Sequence, residues 1–391
     1  MARLGDCFCV IRNGASIKQM DDSGGLPITR IETISNREVD RSKLGYAGIK
    51  DAQKYQDYLL QDCDILMSHI NSTKHLGKVA IYRKKENEQI IHGMNLLMLR
   101  ANQSVICPQY AFYYFDSDDF KRQILRITKN SVNQASFTVT TLKELKIPLP
   151  TLGEQRKIAA VLDKISDLVA KRRRQLDKLD ELVKSRFVEM FGDPVINEKN
   201  WPKYKISDFA TVKIGPFGSM LHADDYVRGG HPMVNPSHIS DGVIIPDFSL
   251  SLNVQKQEEL VAYQLLPGDV IIGRRGEIGR CAVVKKSGMF CGTGCMFVRI
   301  FKDCRPDYLQ RVISYPTFSS ILEDKAVGVT MKNLNAGMVE DSNVYLPPLS
   351  MQDKFASFRA QVDTLKLRIG SSVDKLDTLK KSLMQEYFSV R

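Results

Sequence analysis

One stretch of the chain is written twice. Residues 149–191 (LPTLGEQRKIAAVLDKISDLVAKRRRQLDKLDELVKSRFVEMF) align without a gap to residues 346–388 (LPPLSMQDKFASFRAQVDTLKLRIGSSVDKLDTLKKSLMQEYF), at an offset of 197, with 16 of 43 positions identical. Unrelated sequences of average composition would share about three. A repeat of this period constrains the fold before any local pattern does. Both copies read as helix. Proline is absent from 151–193 and again from 349 onward, and the preceding prolines, Pro148 and Pro150 or Pro347 and Pro348, keep the approach extended. Thr151 with Glu154 fits a capping box, and Ser350 with Asp353 is a looser version of it.

A seven-residue register runs through both copies. In the first, a positions are Ile158, Ile165, Arg172, Leu179 and Arg186, and d positions are Val161, Leu168, Gln175 and Leu182. In the second, a positions are Phe355, Val362, Ile369, Leu376 and Leu383; d positions are Phe358 and Leu365, a break at Ser372, then Leu379. Five heptads with polar breaks near the middle predict a helix that pairs with another helix, most simply the other copy. At 1.5 Å per residue each helix would run on the order of 55–60 Å, long for a domain core and suited to a spacer.

The two segments ahead of the helices, 1–150 and 196–348, are related more loosely. Leu4-Gly5-Asp6-Cys7-Phe8 sits like Ile206-Ser207-Asp208-Phe209, and Gly25-Leu26-Pro27-Ile28 like Gly230-His231-Pro232-Met233. Asp62-Cys63-Asp64-Ile65-Leu66 matches Pro267-Gly268-Asp269-Val270-Ile271. A polar, turn-prone segment follows in each: Ser68-His69-Ile70-Asn71 through Leu76-Gly77-Lys78, and Arg274-Arg275-Gly276-Glu277-Ile278-Gly279-Arg280. Short helical patterns near 108–127 and 306–325 precede a second polar turn, Asn133-Gln134-Ala135-Ser136 or Thr330-Met331-Lys332-Asn333-Leu334. Strand-rich runs with glycine turns and few helices predict an α+β chain of two similar mixed α/β modules, repeated in scaffold and divergent in loops.

The chain has 391 residues, 43% of them hydrophobic, enough for packed cores. It has no apolar run of membrane-spanning length and no signal-peptide pattern at its start, which suggests a cytoplasmic setting. Eight scattered cysteines suit reduced thiols; Cys281, Cys291 and Cys295 fit no zinc spacing and are expected as buried structural residues, with no metal site. A formal net charge of +11 points to a polyanionic partner, nucleic acid first.

The sequence resembles the specificity subunits of type I restriction–modification enzymes. The resemblance is carried by Ile147-Pro148-Leu149-Pro150-Thr151-Leu152-Gly153-Glu154-Gln155-Arg156-Lys157-Ile158, by residues 176–193 ending Phe191-Gly192-Asp193 before Pro194, and by the Asn133-Gln134-Ala135-Ser136 and Gly276-Glu277-Ile278-Gly279 turns. It implies a first target-recognition domain over 1–150, a central helical region over 151–195, a second recognition domain over 196–348 and a C-terminal helical region over 349–391. The helices would form an antiparallel coiled coil, and each recognition domain would read half of a split double-stranded DNA site. It also implies no catalysis and no cofactor on this chain. Two modification (methyltransferase) subunits would bring S-adenosylmethionine and adenine methylation; restriction (translocase/nuclease) subunits would bring ATP and Mg²⁺.

Competing chemistries find weak footholds. Asn235-Pro236-Ser237-His238 lacks the second proline and the aromatic residue of the adenine methyltransferase motif. Pro306-Asp307 with Glu323-Asp324-Lys325 mimics a metal-dependent nuclease signature, but its second half lies in a helical pattern where that signature needs a strand. No phosphate-binding loop of the Walker type is present. A coiled-coil scaffold for protein partners is the remaining alternative.

Reading base edges needs amide, guanidinium or hydroxyl groups, with lysines holding phosphate. The candidates in the first module are Lys18, Gln19, Arg37, Arg41, Lys43, Ser68, His69, Asn71 and Lys74. In the second they are Ser219, His222, Asn235, His238, Arg274, Arg275, Lys332 and Asn333. The adjacent arginines Arg274 and Arg275 in a glycine turn stand first. The basic run Lys171-Arg172-Arg173-Arg174 could meet phosphate, solvent or another subunit.

Overall fold

Two short apolar runs organise each module. In the first, Ile65–Ser68 pairs antiparallel with Leu96–Ala101, which pairs in turn with Phe8–Asn13. Successive side chains of a strand point to opposite faces. Ile65, Met67, Leu97 and Leu99 therefore enter one core with the module's helices, while Leu66, Leu96 and Met98 enter a second core on the other face. A strand buried on both sides needs a continuous apolar run, and that is what the sequence supplies. The second module repeats the arrangement: Val270–Gly273 pairs with Cys295–Ile300, and that strand with Ala210–Ile214. Val270, Ile272, Met296 and Val298 face the helices; Ile271, Cys295 and Phe297 face away.

These features come from a computed structural model that describes residues 1–19, 24–35, 37–130, 134–328 and 332–389, apart from the side chains of Ser219 and Ala223. The chain divides into two compact units, 1–174 with 370–391, and 175–369. The two long helices, Leu152–Phe191 and Leu349–Phe388, each contribute to both units. Each predicted helical pattern inside the modules resolves into two helices: Pro108–Tyr114 and Asp118–Ile127, and Pro306–Ile313 and Pro316–Lys325. The break follows from local chemistry. Ser117 caps the second helix of the first module through Phe120 N–H, and Pro316 opens that of the second.

In the first unit, residues 152–174 run antiparallel to residues 370–388, with Arg173 bonded to Asp377 at 3.1 Å and Lys380 to Ser166 at 2.8 Å. In the second, residues 175–191 run antiparallel to residues 349–369, with Lys366 on Asp180 at 2.6 Å and the Phe187 and Phe355 rings 5.5 Å apart. The seam departs from the predicted register by one residue. The a positions face inward as expected, with Ile165, Phe355 and Val362 buried. The d positions do not: Val161, Leu168, Leu182, Leu365 and Leu379 are exposed, and Leu162, Val169, Val183 and Val373 are buried in their place. In the second helix this inward line also carries Arg359, Lys366 and Lys380. These polar side chains make the true line less apolar than its neighbour, and so hide it from a periodicity argument.

The predicted Thr151–Glu154 capping box forms, with Glu154 Oε2 accepting from Thr151 N–H at 2.9 Å and Thr151 Oγ1 from Glu154 N–H at 3.3 Å. The Ser350–Asp353 version does not form. The second helix begins at Leu349, and Asp353 accepts from Arg305 Nε at 2.5 Å instead.

Duplication extends to single buried bonds. Gln155 is fully buried; its Oε1 accepts from Cys107 N–H at 2.8 Å, and its Nε2 donates to Val105 O and Pro150 O. Gln352, the equivalent residue, accepts from Arg305 N–H at 2.7 Å and donates to Asp303 O and Pro347 O. The Arg100 guanidinium forks onto Asp64 at 2.9 and 2.7 Å and donates to Leu59 O; Arg299 forks onto Asp269 at 2.8 and 2.7 Å and donates to Gln264 O. Where two backbone segments cross, a glycine pair recurs. A Cβ on Gly14 would lie 1.8 Å from Gly93 O, and one on Gly215 2.1 Å from Gly292 O. No side chain fits either crossing.

Candidate nucleic-acid interface

The polar turn that follows the central strand of each module is held open by a second segment. In the first module, Ile70–Asn71 pairs antiparallel with Ala135–Ser136, and Phe137 N–H donates to His69 O at 3.2 Å. In the second, Arg275 bridges Asn333, and Leu334 N–H donates to Arg274 O at 3.0 Å. The two polar turns that the sequence places far apart thus meet in space, in the same way twice. Asn133, Thr330 and Met331 of these turns lie outside the described residues.

This pairing divides the candidate residues. His69 and Arg274 occupy equivalent places and both are buried. The Arg274 guanidinium donates from Nε to Leu334 O at 3.1 Å, and burial, then the neighbouring Arg275 charge, lowers its pKa. It braces the turn and does not face outward, contrary to the first place given it above. Burial holds His69 at a pKa of about 4, so the ring is neutral at pH 7; its Nδ1 has no partner among the described residues. Ser68 is buried too, and takes a hydrogen bond from Asn71 at 3.3 Å. The outward groups of the two turns are Asn71, half-buried, and Lys74, Arg275 and Lys332, all exposed. Asn333 is half-buried and its Oδ1 is without a partner among the described residues.

Other candidates serve the scaffold. Arg37 pairs with Asp116, donates to Phe112 O and lies over the Phe112 ring. Arg41 forks onto Glu88 at 2.6 and 2.8 Å, and that bond is the largest influence holding the Glu88 carboxyl down at about 2. Gln19 accepts from Arg30 Nε at 2.5 Å and donates to Thr29 O. Asn235 and His238 close one turn on themselves: Asn235 N–H donates to His238 Nδ1 at 3.3 Å, and the Asn235 amide packs beside Gly292. The methyltransferase-like tetrapeptide is thus a turn against a glycine. Lys18, Lys43 and His222 are exposed, Lys43 3.7 Å from Asp40, and the Ser219 side chain lies outside the described ones.

The nuclease-like acids are spent or misplaced. Asp307 pairs with Arg359 at 3.1 Å, and Glu323, Asp324 and Lys325 lie on a helix, where Lys325 donates to Ser342 Oγ. Cys281, Cys291 and Cys295 are buried in or beside strands as expected, and burial raises all three thiols, Cys281 and Cys295 to about 12. In the basic run, Arg173 pairs with Asp377, Arg174 Nε reaches Ala170 O, and Arg172 sits half-buried on the seam. No helix among the described residues is long and apolar enough to cross a membrane.

The sequence reading missed the buried glutamines Gln155 and Gln352, although both fall at one position of the repeat, which was the available signal. It also missed Lys78 and Lys121, which face a groove beside the first turn. They lie on segments far apart in the chain, so no local pattern joins them.

A family model for the type I restriction modification DNA specificity domain matches residues 1–180 and again residues 198–374. A putative type I restriction enzyme MjaX specificity subunit from Methanocaldococcus jannaschii is 32% identical, over 97% of this chain and 90% of its own. The EcoKI specificity subunit of Escherichia coli is 21% identical over 93% of this chain and 82% of its own. Among solved structures, a chain from a type I R-M system, described for its complex assembly and conformational transition, superposes with a TM-score of 0.60 at 17% identity, covering 99% of this chain and 96% of its own. A type I restriction–modification S subunit from M. genitalium gives a TM-score of 0.56 at 13% identity, over 100% and 96% of the two chains.

Proposed function

Since this chain belongs to the type I restriction–modification DNA specificity family, we propose that each of its two modules reads one half of a split double-stranded DNA site. One observation carries the reading. The modules agree down to the bonding of Gln155 and Gln352, yet the base-reading groups that their turns present differ: Asn71 in one, Arg275 in the other. A fixed scaffold with divergent exposed turns suits two sites of one kind and different sequence. The long helices would set the separation of the half-sites. The chain itself would carry no catalysis and no cofactor, acting in the cytoplasm as the DNA-reading part of a larger enzyme.

The test is exchange. Replacing residues 1–150 by the same region of a relative, in the complex with its methyltransferase subunits, is expected to change one half of the methylated sequence and leave the other. Methylated adenines mapped across a genome give the outcome, and a change in both halves refutes independent reading.

The exposed helix stripe supports the partner side of the proposal. Val161, Leu168, Gln175 and Leu182 correspond, at the repeat offset of 197, to Phe358, Leu365, Ser372 and Leu379. The leucines and Val161 are between 38% and 47% exposed. The aliphatic members of this line, kept on both helices and exposed outside their own seam, suit two copies of one partner, which we assign as the modification subunits. Those would hold S-adenosylmethionine, and restriction subunits joining them would use ATP and Mg²⁺. Leu168→Glu combined with Leu365→Glu is expected to abolish co-purification of the methyltransferase subunit without moving the thermal unfolding of the chain. Retained co-purification rules out the stripe as the docking line.

A further inference from the structure

Each module has a groove between its polar turn and the second of its short helices. In the first module it is about 610 Å³ and runs between the turn around Gly77 and helix Asp118–Ile127. In the second it is about 350 Å³ and runs between the turn around Gly279 and helix Pro316–Lys325. The scaffold places the two grooves alike, but their charges are opposite. Arg37, Lys74, Lys78 and Lys121 face the first, against the single carboxylate of Asp116. Arg280 faces the second, against Asp241, Glu277 and Glu323.

Three substitutions between equivalent places make the second module less basic or more acidic, while Asp116, which becomes Ser314, runs the other way. With Gly77 laid on Gly279, His75 becomes Glu277 while Lys78 stays basic as Arg280. With Phe120 laid on Phe318, Lys121 becomes Ser319 and Leu125 becomes Glu323. In the first groove Arg37 and Lys121 share Asp116, with Lys121 at 3.3 Å, whereas Lys74 and Lys78 make no ion pair among the described residues. Lys78 Nζ lies 2.7 Å from His75 Nδ1, which aims it along the turn. In the second groove Arg280 is spent on Glu277 and on Pro236 O. Narrowing adds to the contrast. Ser319 sits so close that a Cβ on Gly279 would be 2.1 Å from its Oγ, while a Cβ on Gly77 would meet nothing nearer than 3.6 Å.

We propose that the groove of the first module seats the DNA phosphate backbone and that its counterpart in the second module does not. The proposal rests on the reading of the modules as DNA-recognising. It adds that electrostatic anchoring is one-sided, with the first module holding the duplex and the second contributing mainly base contacts. The polar turn that borders the groove also carries Asn71, so a strand passing that amide runs beside the lysines. Phosphate contacts position a duplex without reading it, and each one made releases counterions and steepens the dependence of affinity on salt.

The experiment uses the complex of the full chain with its methyltransferase subunits and a duplex carrying the mapped site, titrated from roughly 50 to 200 mM salt. For the triple variant Lys74→Gln, Lys78→Gln, Lys121→Gln, the plot of log affinity against log salt is expected to become shallower by about 2.7, with the methylated sequence unchanged. Lysine-to-arginine changes at the same three places should restore the slope. Glu277→Gln with Glu323→Gln should leave it as in the parent. A triple variant with the parent slope overturns the proposal. So does loss of methyltransferase binding at unchanged slope, which would mark the groove as a protein contact. A parent complex with no salt-dependent DNA binding overturns the DNA-recognition reading itself, a distinct outcome because it appears before any variant is made.

Discussion

Phe388→Ala is expected to destabilise the first unit by about 3–5 kcal/mol, and Phe191→Ala the second by a similar amount. Both rings are almost fully buried at the last turn of a long helix. Phe388 lies 5.2 Å from the Tyr110 ring and 5.7 Å from Tyr114; Phe191 lies 5.0 Å from Tyr308 and 5.6 Å from Phe355. Tyr110 and Tyr308 are themselves fixed by hydroxyl bonds to Pro148 O and Tyr345 O, so they cannot swing into the space a lost ring leaves. The chain returns to each module at this point: the helix that starts at one Gln ends on the aromatic core of the other unit's module. Chemical denaturation followed by limited proteolysis should show each variant loosening one unit. A loss under 1 kcal/mol would show that the helix ends are not anchored by these rings.

Arg100→Met is expected to cost about 3–5 kcal/mol, because it strands a carboxylate that cannot reach water. Asp64 is 1% exposed, and apart from the two guanidinium bonds it accepts, among the described residues, only from Gln61 N–H at 2.7 Å. Arg299→Met is the control in the second unit. Asp269 is 3% exposed and accepts from Leu266 N–H at 2.8 Å, but its arginine is 38% exposed, so water shares more of that site and the cost should be smaller. Replacing both partners of the first fork, Asp64→Leu with Arg100→Met, should recover most of the loss, since no unpaired charge then remains. Equilibrium unfolding of the three variants decides the matter. A double variant as unstable as Arg100→Met alone would mean the pair is held for packing and not for charge.

The fork also shows how far a sequence can be read. Asp64 and Asp269 stood out at once in a matched strand approach, but their arginines lie 36 and 30 residues on, and only the sheet registers Ile65 with Leu99 and Val270 with Val298 bring them together. The glycine-turn arginines show the opposite error. Arg274 and Arg275 are neighbours in sequence, yet strand alternation and the Leu334 bridge turn one inward and leave the other exposed. His69 is removed from any surface role in the same way.

The sequence alone determined the duplication, the two long helices, the family resemblance and the strand-rich character of the modules. These depend on chain-local properties: periodicity, proline placement and continuous apolar runs. It left open which of two adjacent helix lines would be buried. Val161 and Leu162, or Leu168 and Val169, are equally apolar, and a helix of 3.6 residues per turn presents both lines to nearly the same side. The tertiary structure chose between them through the partners that a module and the facing helix bring to the buried line. Arg359 finds Asp307 and Gln310, Lys366 finds Asp180, and Lys380 finds Ser166. Burial is a property of what the rest of the chain brings to a side chain, so the seam, the two turns and the charge of the two grooves could be settled only in three dimensions.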